Sequence, residues 1–470
     1  MRPTTGTLLA AILSLATAAT AADRPNVLFI FTDQQHAGML GCAGNRFVKT
    51  PALDSLARDG ARFERAYCTN PVCVPSRFSM MTGVMPSRIG MEDNNGVSLP
   101  VPGEILAHAM GRVFREAGYV TAYGGKVHTP MSVPDMGFEM LTRDSRMGLA
   151  EACAEFLGRK HERPFLLVAS LINPHDICYM AIRDAARATG AKPAVLKNAD
   201  RELATLTEAL RLPEGVSREE FFARVCPPLP PNFEVPPGEP SDVLPAKANF
   251  RSYVRKHWTA EQWRLHRWAY ARLTERVDAE IGKVLAALRI GGLERNTLVV
   301  FSSDHGDMDA AHRLEHKGVL YEESVRVPLV VSFKGVTRPG LVDREHLLST
   351  GLDLLPTLCD FAAIRPPAGL TGRSVRRLAE GQAADGWRDC LVVESKNSRL
   401  LRTPRYKYIV YGSGSPREQL IDLVEDPGEM KNLALEASRA QVLAEHRRLL
   451  RRWYQQSGER LDPKYILPTP

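Results

Sequence analysis

The sequence predicts an α/β fold: a mostly parallel sheet between helices, then a smaller C-terminal α+β part with a short antiparallel sheet. Three observations carry this. Short apolar runs over residues 27–31, 165–170 and 298–301 are branched or aromatic and lack polar alternation, the pattern of strands buried on both faces. Helical periodicities lie between them, clearest at Val277, Ile281, Val284, Leu285 and Leu288, one apolar stripe closed by Gly291-Gly292. After Gly372 the pattern shifts to shorter strands over 391–393, 406–410 and 420–423, followed by a basic amphipathic helix over 440–454.

Taken in order, the chain begins with Arg2, an apolar run from Leu8 to Ala19, and Thr20-Ala21-Ala22-Asp23. A charged start, an apolar stretch and a small-residue cleavage site make a signal peptide over 1–22. The run is shorter than the roughly 20 apolar residues that span a bilayer. No cysteine sits at the cleavage point, so no membrane anchor is expected. The expectation is an exported protein, periplasmic or secreted.

The strand ends are informative. The first run leads into Thr32-Asp33-Gln34, the second into Asn173-Pro174-His175-Asp176, and the third into Ser302-Ser303-Asp304-His305. In open α/β sheets, ligands bind beyond the carboxyl ends of the strands. Three strands each delivering an Asp or His there point to one shared site. Residues 226–247 are proline-dense and predict an irregular surface excursion rather than helix or central strand.

Composition sets outer bounds. The 470 residues are 44% apolar and 24% charged, the balance of a soluble globular protein with ample core. Net charge is +7, falling to +6 without the signal segment because Arg2 is lost. That excess suits a small anionic substrate as well as a nucleic acid, but export and the absence of interleaved aromatic platforms argue against nucleic acid. Eight cysteines are too few for a disulfide scaffold.

Two motifs carry chemistry. Cys73-Val74-Pro75-Ser76-Arg77 precedes a helical segment, so Cys73 sits at a helix N-terminus, where the dipole favours the thiolate. It reads as a nucleophile or ligand, or equally as a disulfide partner of Cys68 or a buried thiol. In Gly118 to His128, Lys126 and His128 stand two residues apart after a strand-like segment, so an extended chain would point both to one side, as donors to an anion.

These residues resemble the type I, formylglycine-dependent sulfatases of the alkaline phosphatase superfamily. Residues 73–77 match the Cys-x-Pro-Ser-Arg signature, and 118–128 match the second, Gly-Tyr-x-Thr-Ala…Gly-Lys-x-His. Phe301 to Met308 with Lys317-Gly318 resembles a third. Residues 353–357, 402–409 and 422–433 resemble the C-terminal part. Six motifs run in order from Asn26 to about Leu433.

The resemblance implies an alkaline-phosphatase-like core over 23–372 as the catalytic domain and a C-terminal subdomain over 373–470. It implies that Cys73 is oxidised to formylglycine by a maturation enzyme, and that a divalent cation is bound. Ca²⁺ is expected, with Mg²⁺ or Mn²⁺ open. Asp33, the modified Cys73, Asp304 and His305 would be ligands, and Gln34 a fifth. The hydrated aldehyde would supply the attacking oxygen, and its second hydroxyl would let sulfate be expelled. His128 is the implied base for that step. His175 or Lys317 would be the acid for the leaving alcohol. Arg77, Lys126 and Lys317 have the charge to offset that of a sulfate ester. The expected substrate is a sulfated saccharide, met in a pocket whose loops, over 91–95 and 180–250, set specificity, with Asn94 or Asn95 facing the sugar. Oligomeric state is carried by no motif.

Two departures stand out. Gln34 replaces an aspartate common in the family, removing one negative charge. Val127 replaces a tryptophan, which makes a smaller wall. Asp307 and His312 read as outer groups supporting the ligands, and Ala311 replaces an acid common there. Asp33-Gln34 is also the start found in phosphonate monoester and phosphodiester hydrolases of the superfamily, the enzyme alternative; Lys126 and His128 favour a sulfatase. A carbohydrate-binding pseudoenzyme is the non-enzyme alternative, and it would have lost Cys73 or the ligand residues, which are all present.

Overall fold

The structure is a computed structural model that describes residues 24–244 and 249–468. The expected signal segment, 1–22, lies outside the described residues. Fourteen strands are described: β1 (Asn26–Asp33), β2 (Ala61–Phe63), β3 (Ala66–Tyr67), β4 (Val120–Gly125), β5 (Glu139–Thr142), β6 (Phe165–Pro174), β7 (Thr297–Ser303), β8 (Leu329–Ser332), β9 (Leu341–Asp343), β10 (Leu348–Ser349), β11 (Leu391–Ser395), β12 (Ser398–Arg402), β13 (Tyr406–Tyr411) and β14 (Glu418–Asp422).

Eight strands form the main sheet, in the order β5-β4-β6-β1-β7-β8-β2-β9. The three expected strands β6, β1 and β7 are adjacent and parallel at its centre, and β4 extends the parallel set. The sheet is mixed beyond β7, because β8 runs antiparallel to both β7 and β2.

Alternation along β1 explains why it is apolar throughout. Val27, Phe29 and Phe31 join one core with Phe78, Met81 and Leu355. Leu28 and Ile30 join the other with Leu53, Phe156, Ile281 and Val284. A strand with helices on both faces has no side for polar residues. The first core is covered by α2 (Cys73–Thr82) and the helix Thr350–Phe361. The second is covered by α1 (Pro51–Arg58), Met147–Gly158 and Ala260–Ile290.

The helix Ala260–Ile290 is longer than its apolar stripe predicts. Thr259 and Gln262 close a capping box at its start, and Trp263, Tyr270 and Leu273 are buried in its first half. The C-terminal sheet is antiparallel, as expected, in the order β11-β12-β13-β14. The sequence reading missed β12, whose buried strand carries Arg399 and Arg402 among its five residues. The helix Ala440–Ser457 packs on this sheet through Leu443, Leu450 and Tyr454. Its Arg447 pairs with Glu418.

Over its described residues, 226–244, the proline-dense excursion forms no strand. Arg264 and Arg267 of the long helix donate to the carbonyls of Phe222, Cys226, Pro227 and Pro228 and strap it down. All eight cysteines are free thiols, so Cys68 and Cys73 are not paired. Among the described residues, no helix is long and apolar enough to cross a membrane.

Candidate active site

Four neighbouring parallel strands end at one rim of the sheet. β1 delivers Asp33, β7 leads into Asp304 and His305, β6 into His175, and β4 into Lys126. The chain must turn sharply as it leaves β4. Gly125 has φ +94°, and a Cβ there would lie 2.0 Å from the Ser170 carbonyl oxygen, so only glycine fits. Lys126 N–H then donates to that carbonyl at 3.0 Å.

Cys73 is the first residue of α2, as expected. Val72 before it is extended and provides no side-chain cap. Asn94 supplies one instead: its Oδ1 accepts the Val74 N–H at 3.1 Å. That oxygen of Asn94, expected with Asn95 as a residue facing the sugar, is committed to the helix that presents Cys73. Asn95 hydrogen-bonds Asp93.

Around the fully buried Cys73 Sγ lie Lys317 Nζ at 3.0 Å, His305 Nε2 at 3.2 Å and Asp33 Oδ1 at 3.6 Å. Burial and Asp33 push the thiol pKa up, but Lys126, Lys317 and His305 outweigh them and hold it well below the ordinary range. In the same way, burial raises Asp33, while Lys126, His175, Lys317 and Arg77 bring it well below a normal carboxylate. Asp304 goes the other way: burial and the Asp33 charge push it up to about 6.

One ligand atom each from Asp33, Cys73, Asp304 and His305 fall within 4.8 Å of one another, all buried. Two buried carboxylates, one of them held above its normal range by burial and then by the charge of the other, form a donor set that suits a divalent cation. His305 Nδ1 faces the Gly306 carbonyl at 2.9 Å, which aims Nε2 at the cluster. Gln34 is beside it, with φ +69°. Its Oε1 takes Lys317 Nζ at 2.9 Å and Cys178 Sγ at 3.0 Å, and its Nε2 donates to Asp307 Oδ2 at 2.6 Å. Asp307 thus orients Gln34, as an outer group. His312 does not join it: the ring stacks on Tyr321 at 4.1 Å, beside Glu323 and Glu429.

The cations divide into two kinds. Arg77 is fully buried and directs its donors inward. Nε reaches Asp304 Oδ2 at 2.7 Å, Nη2 reaches Asp33 Oδ2 at 2.8 Å, and Nη1 reaches Ser170 Oγ and the Lys126 carbonyl at 2.8 and 3.0 Å. It positions carboxylates rather than facing an anion. Lys126 Nζ sits 2.5 Å from Asp33 Oδ2, and Lys317 touches both Gln34 and Cys73.

His175 lies within the same field. Burial, then Lys317, drives its pKa down to about 4 against Asp33, so the ring is neutral near pH 7. His128 departs from the extended-chain expectation. Its φ is +44°, so it does not share a strand face with Lys126, and its Nδ1 is buried without a partner. No hydrogen bond or ion pair among the described residues joins it to the cluster. The sequence reading also missed Ser170, which anchors Arg77, and Tyr270, whose hydroxyl donates to the Gln34 carbonyl at 2.6 Å. Ser170 is the polar end of an apolar run, a signal present in the sequence; Tyr270 sits on a helix face with nothing to mark it.

A cavity of about 350 Å³ opens beside the cluster. Val72 and Gly318, the neighbours of Cys73 and Lys317, form its inner wall, and Ser395 to Ser398, at the turn between β11 and β12, form its outer one. Glu92, Asp93 and Arg251 also line it.

The chain is similar to known proteins over most of its length. A family model described as Sulfatase matches residues 25–364, and one described as N-sulphoglucosamine sulphohydrolase, C-terminal, matches 310–456. A Δ4,5-hexuronate-2-O-sulfatase from Bacteroides thetaiotaomicron is 30% identical over 92% of this chain and 89% of its own length. The solved structure of a 2-O GAG sulfatase superposes with a TM-score of 0.75 at 28% identity, covering 95% of this chain and 97% of that one. A phosphonate monoester hydrolase of Agrobacterium radiobacter shares the fold, with a TM-score of 0.69 at 23% identity over 92% and 96% of the two chains.

Proposed function

The chain belongs to the sulfatase family and hydrolyses sulfate esters, and from that premise we propose that it is an exported enzyme acting on a sulfated carbohydrate through a formylglycine made from Cys73. In this reading residues 23–372 are the catalytic domain and 373–470 the C-terminal subdomain. A divalent cation, Ca²⁺ ahead of Mg²⁺ or Mn²⁺, is held by Asp33, residue 73, Asp304 and His305. The hexuronate named for the 30%-identical relative makes a uronate-containing saccharide the favoured class.

The observation that carries the reading is the position of Cys73. It starts a helix, is fully buried, and has Lys317, His305 and Asp33 within 3.0–3.6 Å of its sulfur. Its Sγ marks where the oxygens of a formylglycine hydrate would stand. When formed and bound, the hydrate would supply the oxygen that attacks sulfur, and the cation would draw charge from the sulfate oxygens.

The chain's own groups do the rest. Lys126 and Lys317 place two ammonium groups where a sulfate ester must enter, offsetting the charge that repels a nucleophile. Arg77 keeps Asp33 and Asp304 ionised and oriented from behind. As the sulfur–oxygen bond breaks, the leaving oxygen gains negative charge and needs a proton. Lys317 carries one: burial favours its loss, but Cys73 and Asp33 raise its pKa. The neutral His175 supplies a ring N–H or a lone pair rather than a positive charge. Overall, water adds across the sulfur–oxygen bond, giving the alcohol and free sulfate.

The test is a pair of rates. The enzyme, matured with its formylglycine-generating partner, is given an aryl sulfate and an aryl phosphonate monoester of equal leaving group. The sulfate is expected to react with the higher kcat/KM. A much faster phosphonate reaction contradicts the reading and favours the phosphonate hydrolase alternative.

A further inference from the structure

We propose that Arg251 forms a carboxylate-binding subsite beside the nucleophile, so that the preferred substrates carry a carboxylate on the sulfated sugar. The inference rests on the sulfatase reading above and names the residue that would select within it.

Arg251 lies at the start of the helix Phe250–His257, just after the proline-dense excursion. Its guanidinium reaches the inner wall of the 350 Å³ cavity. A methyl group placed at Gly318 would lie 3.7 Å from Arg251 Nη1 and 3.8 Å from Val72 Cγ2. Val72 immediately precedes Cys73. Gly318 immediately follows Lys317, whose Nζ is 3.0 Å from the Cys73 sulfur. The guanidinium therefore lines the same cavity as the residues that adjoin Cys73 and Lys317.

Among the described residues, this guanidinium has no hydrogen bond and no ion pair within 4.0 Å; its Nε is buried without a hydrogen-bond partner, and its central carbon lies 5.8 Å from the centre of the Phe250 ring. Other enclosed arginines contrast with it. Arg255, one turn along the same helix, pairs with Glu239 at 2.7 Å, and Arg146 pairs with Asp176 at 2.8 Å. Glu315 is the acid that most strongly feels Arg251, yet both its carboxylate oxygens are buried without a hydrogen-bond partner. Burial pushes its pKa up to about 8, so it does not neutralise the arginine at pH 7. Lys396, the other cation lining the cavity, is already held by Asp93 at 2.7 Å.

A half-buried guanidinium with no hydrogen bond or ion pair keeps its terminal donors available, and its planar fork matches a carboxylate through two parallel hydrogen bonds. The cavity volume lies within the range of small-ligand sites. Glu92, Asp93 and Asp242 at its edge disfavour further negative charge away from Arg251.

The test compares substrates that differ in one group: glucuronate 2-sulfate, glucose 2-sulfate, and glucose 2,6-disulfate. Wild-type enzyme should prefer the uronate over the neutral sugar by roughly 10- to 100-fold in kcat/KM, the range of a charge-assisted pair. Arg251→Gln should collapse that ratio toward unity, mainly through KM, and Arg251→Lys should restore part of it. Converting the uronate to its carboxamide should reproduce the loss in wild-type enzyme, which tests the claim even where a variant does not fold. No preference for the uronate, a preference that survives Arg251→Gln, or a stronger dependence on the second sulfate would overturn the proposal. Wild-type enzyme that turns over none of the three sugars but hydrolyses an aryl sulfate removes this subsite alone. Failure on the aryl sulfate as well contradicts the sulfatase reading, and the subsite falls with it.

Discussion

Arg77 directs every donor group of its guanidinium at Asp33, Asp304, Ser170 or the Lys126 carbonyl. Removing it leaves two fully buried carboxylates short of a counter-charge. Breaking such a pair typically costs about 3–5 kcal/mol. Arg77→Ala should therefore lower stability by that order in a urea titration as well as remove activity. A loss of activity with an unchanged unfolding midpoint would mean that Arg77 acts on the substrate directly. Lys317 offers a sharper test, because its role depends on the leaving group. Lys317→Ala should slow an alkyl sulfate by about 10²–10³-fold and an activated aryl sulfate much less, since a good leaving group needs no proton. Equal losses on both would exclude it as the acid. At this scale, Cys73, Asp33, Asp304 and His305 were legible because each stands at a strand or helix end. The work of Arg77 was not, because charge is visible in a sequence and direction is not. The same limit hid Arg251, whose interest lies in its lack of a hydrogen-bond or ion-pair partner among the described residues.

The elements behave as layers around one sheet, and their junctions carry testable charge. Asp278, on the helix Ala260–Ile290, accepts the backbone N–H groups of Ala52 and Leu53 at 3.0 and 2.9 Å, holding the first turn of α1. Burial pushes its pKa up to about 6, outweighing those two bonds. Between the ordinary 3.8 and about 6, the folded protein keeps a proton that the unfolded chain has released. The contribution is thus full below pH 4 and is lost as pH rises through 6. Asn cannot ionise, so wild type should lose on the order of 2–3 kcal/mol relative to Asp278→Asn between pH 4 and pH 7. A difference in unfolding free energy that is flat with pH, or opposite in sign, would contradict this. The central strands were legible from β1, β6 and β7, whose apolar runs have helices on both faces. The Lys126–His128 pairing was not, because the turn forced at Gly125 breaks the period-two pattern just before them. β12 escaped because its two arginines break the apolar pattern, although packing and partners keep them buried.

At the scale of the molecule, parallel order brings four strand ends to one rim, and the turn between β11 and β12 lines a cavity beside the Cys73 cluster. The α/β class and the antiparallel C-terminal sheet follow from local periodicity, whereas that cavity depends on contacts between distant segments. Treatment with a chelator, followed by verified metal removal, should depress turnover, and Ca²⁺ should restore it more fully than Mg²⁺. An unchanged rate in metal-free enzyme would remove the cation from the account. The central claim concerns residue 73 itself. Mass spectrometry of the peptide spanning residues 66–77, taken from enzyme of known specific activity, measures it directly. The account predicts an aldehyde at residue 73 in proportion to activity, and its loss in preparations made without the maturation enzyme. A fully active preparation whose residue 73 is an unmodified thiol would contradict it.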